Sequence, residues 1–416
     1  MTVDKKSPIT LLIEKGVKIP TPASVEIGDD VNIDKISSEN VVIYSGCKIF
    51  GNKTVILPNV TLGERAPVFI KNCQIGKNVA LKGGSFEEST FLDGVIVGSG
   101  AEVREGCLLE EQSSCAHTVG LKQTILFPFA TLGSLINFCD ILLAGGTSRK
   151  NHSEVGSSYI HFNYTPNQDK ATASLLGDTP SGVMLKEAPI FLGGQGGLVG
   201  PRIIRYGSTI AAGVVCRSDA REGNTLILSS TPADTTLKNY PGIYWSIRTR
   251  VLNCVEYFAN VVALRQWYIH VRSKFYKKST LENELYKGAL ARLDSIIKER
   301  IHRLKELAKK MEHSIELYKN IMKEKASSIL ITQKKEFFDS IGKIETTLKE
   351  SLTFEGDTKT RDMFLGHIEK NNNNDYLLTI QNLDEETSNI GTMWLKGIVD
   401  EISTSVKAHL PSFANA

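Results

Sequence analysis

The sequence lacks the features that mark several classes of protein. Its 49 lysines and arginines nearly balance 46 aspartates and glutamates, and the net charge of +3 gives no electrostatic reason to expect nucleic acid as a partner. No run of about 18 uncharged apolar residues occurs, which argues against a membrane-spanning helix. The N-terminal stretch has no apolar core long enough for a signal peptide. We therefore expect a cytoplasmic protein.

Cysteine usage gives no sign of a disulfide framework or a metal site. The seven cysteines include no CxxC pair and are scattered along the chain, at Cys47, Cys73, Cys107, Cys115, Cys139, Cys216 and Cys254. An odd number at wide spacing is typical of reduced thiols packed in the core of a cytosolic protein. We expect no bound metal.

The first 240 residues contain a repeat with a period of six. Apolar residues recur at this interval at Val97, Val103, Leu109 and Cys115, and again at Leu192, Leu198, Ile204, Ile210 and Cys216. A chain that turns a corner every six residues places one aliphatic side chain per face inside a triangular coil of about 18 residues. A β-sandwich would instead need alternation of period two and hairpin turns, which are sparse. Residues 1–240 therefore predict a left-handed parallel β-helix of hexapeptide repeats.

The repeat is interrupted at about 137–190 by a long polar segment. Loops held by a rigid scaffold often carry function, so we expect the functional residues to lie there.

The chain becomes helical after Pro241, and residues 241–416 are expected to form an α-helical extension. From Ile297, apolar residues are spaced 4-3-4-3-4-3-4, at Ile297, Ile301, Leu304, Ala308, Met311, Ile315, Tyr318 and Met322. This heptad seam indicates either a coiled coil or a long helix packed in a bundle or on the β-helix. The helices thus pack on the prism or bind another protein.

Several motifs of the solenoid resemble those of the hexapeptide-repeat sugar N-acyltransferases. The similar segments are PFA at 128–130, NF at 137–138, NYTPNQDK at 163–170, LLGD at 175–178 and LGGQGGLVGPRIIRYGSTIAAG at 192–213. They resemble the acetyltransferase domain of the bifunctional enzyme that makes UDP-N-acetylglucosamine, and a stand-alone group related to UDP-N-acetylglucosamine pyrophosphorylase. Uridylyl transfer is not expected, because the Gly-rich nucleotide loop of that activity has no counterpart here.

The resemblance implies a homotrimer that transfers an acetyl group from acetyl-CoA to the amine of a sugar phosphate or nucleotide sugar. His152 would be the general base, for which a neutral imidazole suits cytosolic pH. Asn163, Tyr164 and Lys170 would hold the acceptor, while Gly193, Gly194 and Ala212 would line the acyl-CoA arm.

Departures from the family pattern leave a second function open. Thr131 and Leu142 occupy positions where the family has phosphate-binding cations, and Ser230 replaces an arginine near the cofactor. Basic residues elsewhere are candidates to bind phosphate instead, namely Arg149 and Lys150 on the substrate side and Arg202 and Arg205 on the cofactor side. The alternative to an enzyme is a trimeric scaffold or nucleotide-sugar binding protein that has lost the chemistry.

Overall fold

The computed structural model describes residues 6–228, 236, 238–276, 279–371 and 373–414. Short strands stack in parallel into one sheet of 16 strands and one of 10. Each strand pairs with the strand one coil further along, as in the register of Ile96 with Ser114 and of Ser114 with Thr131. The predicted parallel β-helix of hexapeptide repeats is confirmed.

Three faces make up each coil. Face I consists of Val55–Ile56, Gln74–Ile75, Ser89–Phe91, Cys107–Leu109, Ser174–Leu176 and Ile203–Ile204. Face II consists of Val42–Ile43, Thr61–Leu62, Ala80–Leu81, Ile96–Val97, Ser114–Cys115, Thr131–Leu132, Glu154–Val155, Phe191–Leu192, Thr209–Ile210 and Leu226–Ile227. Face III consists of Glu26–Ile27, Lys48–Phe50, Val68–Lys71, Gly84–Glu87, Ala101–Val103, Ile160–Phe162, Gly197–Val199 and Val215–Cys216. The longer strands Gly120–Leu126 and Asn137–Leu143 run from face III into face I.

The segment 137–190 differs from the single polar insertion expected there, because the coils continue through it. Its strands Glu154–Val155 and Ile160–Phe162 keep their places on faces II and III. Three corners are enlarged. One carries an antiparallel hairpin of Gly146–Ser148 and Asn151–His152, the second is a loop at 163–173, and the third, at 177–190, contains the short helix Thr179–Gly182. Inward-pointing residues such as Val155 preserve the hydrophobic stack between them.

The helices are α1 (Pro8–Lys15), α2 (Thr179–Gly182), α3 (Arg248–His270), α4 (Thr280–Lys309), α5 (Met311–Met322), α6 (Ser328–Glu350), α7 (Thr358–Asn371), α8 (Tyr376–Gln381) and α9 (Glu385–Lys407). Short 3₁₀ turns lie at Pro22–Ser24, Ile33–Lys35, Arg272–Lys274, Lys323–Lys325, Ser351–Thr353 and Pro411–Phe413. None of the helices in the described ranges combines the length and the hydropathy that a membrane span requires.

Face I is covered by the helices because its strands carry apolar residues in consecutive pairs. Neighbouring residues on a strand point to opposite sides. In pairs such as Leu108–Leu109 and Leu175–Leu176, the second residue fills the interior of the prism and the first joins a separate core shared with the helices. On face II some outward residues are polar, as at Ser114 and Thr131, and apolar ones such as Ile96 and Phe191 remain exposed.

The heptad seam packs within the chain. Ile297, Leu304, Ala308 and Met311 are buried in the core shared with face I. The helix is interrupted at Lys310, between α4 and α5, so the heptad seam spans two helices rather than one. The arrangement is that of helices packed on the β-helix, one of the two interpretations that the seam allowed. All seven cysteines are buried free thiols.

A buried charge cluster joins α3 to the solenoid at the edge between faces I and II. Arg272, fully buried, holds Glu111 through both oxygens at 2.6 and 2.7 Å. Glu110 accepts a hydrogen bond from the Tyr268 hydroxyl at 2.5 Å and lies 3.3 Å from Arg272. Two carboxyl groups thus share one guanidinium. Removing one partner of such a buried pair costs about 3–5 kcal/mol, so the cluster specifies where α3 docks.

The cluster predicts that stability rises as pH falls through neutrality. Burial raises the pKa of Glu110 to about 7, against the opposing effect of Arg272. The folded chain therefore holds a proton that the unfolded chain releases above its ordinary pKa. Relative to Glu110→Gln, the wild-type free energy of unfolding should increase by about 1 kcal/mol between pH 8 and pH 6. Urea titrations measure it. Glu102→Gln, an exposed change on face III, is the control, and an unchanged difference between pH 8 and pH 6 would contradict the prediction.

A second prediction concerns Lys334, a fully buried lysine on α6. Its Nζ has no hydrogen-bond partner among the described residues, although it lies 4.5 Å from the centroid of the Tyr318 ring. Burial lowers the pKa of Lys334 to about 8. Since an unsatisfied buried donor costs about 1–3 kcal/mol, Lys334→Met should stabilise the fold by an amount of that order in urea denaturation. Lys335→Met, an exposed neighbour, should change little; destabilisation by Lys334→Met would refute the interpretation.

Candidate functional site

The hairpin of Gly146–Ser148 and Asn151–His152 projects from the edge between faces I and II. Its base is fixed by hydrogen bonds from the Ser153 hydroxyl to the Ala144 carbonyl oxygen at 2.7 Å and from the Gly146 N–H to the Glu187 carbonyl oxygen at 3.0 Å. The two glycines before Thr147 have positive φ, 104° and 100°, which lets the chain leave the coil sharply. The hairpin therefore presents residues 147–152 on a rigid edge.

His152 lies at the end of this hairpin with its ring oriented by two neighbours. Its Nδ1 is 2.9 Å from the Arg149 carbonyl oxygen, which can only accept, so Nδ1 carries the proton in the neutral ring. Nε2 then keeps its lone pair and lies 3.6 Å from a carboxylate oxygen of Glu154. An imidazole oriented in this way can take a proton at Nε2, and the carboxylate would stabilise the cation that forms.

Arg149 extends from the hairpin tip across the preceding coils. Its Nη1 donates to the carbonyl oxygens of Gln112 and Phe129 at 2.9 and 2.8 Å and to the Thr131 hydroxyl at 3.0 Å. Its Nη2 donates to the Ser114 hydroxyl at 3.1 Å. The guanidinium thus lies beside Thr131, where the family pattern has its own arginine. Desolvation by these coils lowers the pKa of Arg149, partly opposed by Glu154.

The helical region supports the same hairpin. The Gln381 amide at the end of α8 donates to the Thr147 carbonyl oxygen at 2.7 Å. Nearby, the Lys186 ammonium donates to the Leu383 carbonyl oxygen. Residues more than 200 positions away in sequence therefore hold the edge that carries His152 and Arg149. Lys150, also on the tip, is exposed.

The predicted acceptor-binding residues lie in the loop at the edge between faces III and I. Asn163 donates to Asp140 at 2.8 Å, and Asp140 is ion-paired with Arg300 of α4. Tyr164 is 56% exposed, and the Lys170 ammonium lies 5.8 Å from the centroid of its ring. The amide of Asn163 is therefore engaged in anchoring the loop, whereas Tyr164 faces solvent.

His161, at the base of the same loop, is a structural residue. It is buried, with Nδ1 2.5 Å from the Cys139 carbonyl oxygen and Nε2 2.7 Å from the Ser174 hydroxyl. Burial lowers its pKa to about 4, so the ring is neutral.

Gly193, Gly194 and Ala212 lie at the edge between faces II and III, where coils approach closely. A Cβ on Gly193 would lie 2.3 Å from the Ala212 nitrogen, and one on Gly194 would lie 2.8 Å from the Ser157 carbonyl oxygen. Coil stacking thus requires glycine at both positions. The backbone N–H groups of Gly194 and Ala212 have no hydrogen-bond acceptor in the described chain.

The two arginines assigned to the cofactor lie on different edges. Arg205 forms ion pairs with Asp178 at 3.2 Å and with Glu256 of α3 at 2.6 Å, so two carboxylates neutralise its charge. Arg202 donates to the Pro201 carbonyl oxygen at 2.6 Å, and its Nε is buried with no hydrogen-bond partner in the described part of the chain. Ser230 lies outside the described residues.

The predicted residues therefore occupy all three edges of one prism. His152, Arg149, Lys150 and Arg205 are at the edge between faces I and II, and Gly193, Gly194 and Ala212 at the edge between faces II and III. Asn163, Tyr164, Lys170 and Arg202 are at the edge between faces III and I. Within the described residues, no group of three or more His, Cys, Asp and Glu side chains is placed to hold a metal. A single subunit does not close a site from these parts.

Sequence reasoning missed Glu154 and Gln381. Glu154 follows His152 by two residues on an outward position, a spacing that places both side chains on one side of an extended chain. Nothing local in the sequence connects Gln381 to the hairpin.

Comparison with known proteins adds distant relatives. No protein-family model matches the chain. The bifunctional protein GlmU of Baumannia cicadellinicola is 27% identical over 236 residues, which cover 56% of this chain and 43% of that protein. GlmU of Thermotoga maritima is 27% identical over 208 residues, covering 50% of this chain and 41% of that protein. GlmU of Pseudomonas putida is 24% identical over 224 residues.

The chain thus spans less than half the length of the curated relatives that it matches. The chain is therefore a hexapeptide-repeat solenoid that is distantly similar to GlmU.

Proposed function

We propose that the protein transfers an acyl group from an acyl-CoA, in the first instance acetyl-CoA, to the amine of a sugar phosphate or nucleotide sugar, with His152 as general base. The observation that carries the proposal is the orientation of His152, whose Nδ1 faces the Arg149 carbonyl oxygen at 2.9 Å while Nε2 is left beside Glu154. The distant similarity to GlmU supports the same class of reaction.

In the proposed step the amine nitrogen attacks the thioester carbonyl carbon, and the C–S bond breaks as the amide C–N bond forms. His152 Nε2 takes the proton from the nitrogen and passes it to the departing thiolate, so charge is balanced. In this proposal the backbone N–H groups of Gly194 and Ala212, which lack acceptors in the described chain, donate to the developing oxyanion or to the acyl-CoA arm.

The proposal includes a homotrimer, because the residues lie on different edges and need neighbouring copies to meet. Face I is occupied by helices, which leaves faces II and III for contact. Both carry large exposed apolar side chains, among them Ile96 and Phe191 on face II and Ile160 and Phe162 on face III. Apolar residues exposed in one chain and clustered on free faces are typical of an interface.

We predict that the purified chain releases CoA thiol from acetyl-CoA when a hexosamine phosphate or amino nucleotide sugar is added. His152→Ala should lower kcat by about 10²- to 10⁴-fold, since this is the usual contribution of a general base, while the oligomeric state measured by light scattering is unchanged. His117→Ala, at an exposed corner, is the control. If neither acyl-CoA nor an amino sugar binds at millimolar concentration, the scaffold alternative is favoured.

A further prediction concerns Gln381, which holds the hairpin from the helical region. Loss of one hydrogen bond costs about 1 kcal/mol, so Gln381→Ala should speed amide exchange across residues 146–152 about fivefold and lower kcat to a similar extent. Leu378→Ala, an exposed change on the same helix, should do neither. Unchanged exchange in the hairpin of the Gln381 variant would show that the helices do not support it.

A further inference from the structure

The guanidinium of Arg149 is anchored on one side and free on the other. Nη1 is saturated by the carbonyl oxygens of Gln112 and Phe129 and the Thr131 hydroxyl. Nη2 donates one of its two N–H bonds to Ser114. The Nε–H and the second N–H of Nη2 have no acceptor among the residues described. Adjacent N–H groups of this kind form the fork that binds an oxyanion through two hydrogen bonds.

The charge of Arg149 is also not neutralised. All four of its acceptors are uncharged oxygens, and no carboxylate lies within ion-pair distance of it in the described part of the chain. By contrast, two other arginines at this edge are ion-paired, Arg205 with Asp178 and Glu256 and Arg221 with Asp219. A guanidinium fixed by neutral groups keeps its full charge for a ligand and loses little side-chain entropy when the ligand binds.

A notch in the prism edge lies directly beside this guanidinium. At the corner between faces I and II, successive coils place Asn59, Asn78, Gly94, Gln112 and Phe129 in the same left-handed conformation, with φ between 56° and 75°. Gly94 alone in this row has no side chain. The resulting cavity has a volume of about 240 Å³ and is lined by Gly94, Ile96, Gln112, Ser114 and Arg149.

The size of the notch limits what it can hold. Sites for whole drug-sized ligands are usually about 300–1,000 Å³, so this one suits a single small group rather than a nucleotide. Its lining combines the Arg149 fork and the Ser114 hydroxyl with the side chain of Ile96, which is 45% exposed. A tetrahedral oxyanion fits the polar side, and a sugar ring carrying it would lie against Ile96.

We propose that this notch, which we call the Arg149 notch, binds a phosphate monoester group through the free edge of the Arg149 guanidinium. The inference deepens the proposed function, on which it rests only for the identity of the molecule that carries the phosphate. Two substrates of the proposed reaction present this group, the acceptor sugar phosphate and the 3′-phosphate of CoA, and the experiment distinguishes them.

The test measures binding by calorimetry to the chain of 416 residues, with inorganic phosphate, glucosamine 1-phosphate, glucosamine, CoA and dephospho-CoA as probes. Arg149→Gln should weaken binding of the phosphorylated probe about 10- to 100-fold, the usual value of a hydrogen bond to a charged group. Arg65→Gln, at an exposed corner remote from the hairpin, is the matched control for charge. A loss confined to glucosamine 1-phosphate assigns the notch to the acceptor; a loss confined to CoA, absent with dephospho-CoA, assigns it to the cofactor.

A second variant leaves Arg149 and its anchoring contacts in place. Gly94→Asn fills the notch with a residue that the same corner already uses at Asn59 and Asn78, so the backbone tolerates it. It should weaken the same probe at least tenfold. If both variants bind every phosphorylated probe as the wild type does, the inference is overturned. His152→Ala should keep phosphate affinity. If the wild type transfers no acyl group but still binds a phosphorylated probe in an Arg149-dependent way, the proposed reaction is refuted and the inference about the Arg149 notch stands.

Discussion

The burial of face I is the constraint on which the rest of the structure depends. A bare β-helix needs one inward apolar residue per strand, and the outward residue is free to be polar. On most coils of face I the outward residue is apolar as well, at Leu108, Ile125, Leu142 and Leu175 among others. Exposing that row to water would cost about 25 cal/mol for each Å², so a second layer must cover it. The helices of residues 248–407 are that layer.

This cover also determines where function can lie. With face I closed, only faces II and III and the three edges remain for ligands or copies of the chain. The hairpin with His152 and Arg149 stands where face II meets the helical layer, and Gln381 contacts it from that layer. The helical region is therefore part of the candidate site's support, although none of its side chains was predicted to belong to the site.

The sequence predicts the solenoid well because its signal is local and repeated. Each inward residue, such as Val97 or Ile210, is six positions from the next, and the same spacing recurs in many coils. The burial of face I also has a local signal, the apolar pairs such as Leu142–Leu143 and Ile203–Ile204. The six-residue period accounts only for the inward residue of each pair, so it does not predict that the outward residue is covered. The candidate site depends on contacts between distant positions. The Asn163 amide donates a hydrogen bond to Asp140, which is ion-paired with Arg300. No spacing in the sequence indicates these contacts.

The path of α4 along face I has a consequence for the length of the molecule. The helix runs parallel to the axis of the solenoid and contacts successive coils. These contacts are Gly288 with Gln74, Arg292 with Glu88 and Arg300 with Asp140. Between Gly288 and Arg300 the helix rises roughly 18 Å, and the four coil spacings between Gln74 and Asp140 amount to roughly 19 Å. The two repeats stay in register because a helical turn and a coil have nearly the same rise. Solenoids commonly gain or lose whole coils, but here the contacts of α4 with successive coils restrict such changes. Adding or removing one coil beneath it would shift every later contact by about one helical turn, so the number of coils between Gln74 and Asp140 is constrained by a helix outside the repeat.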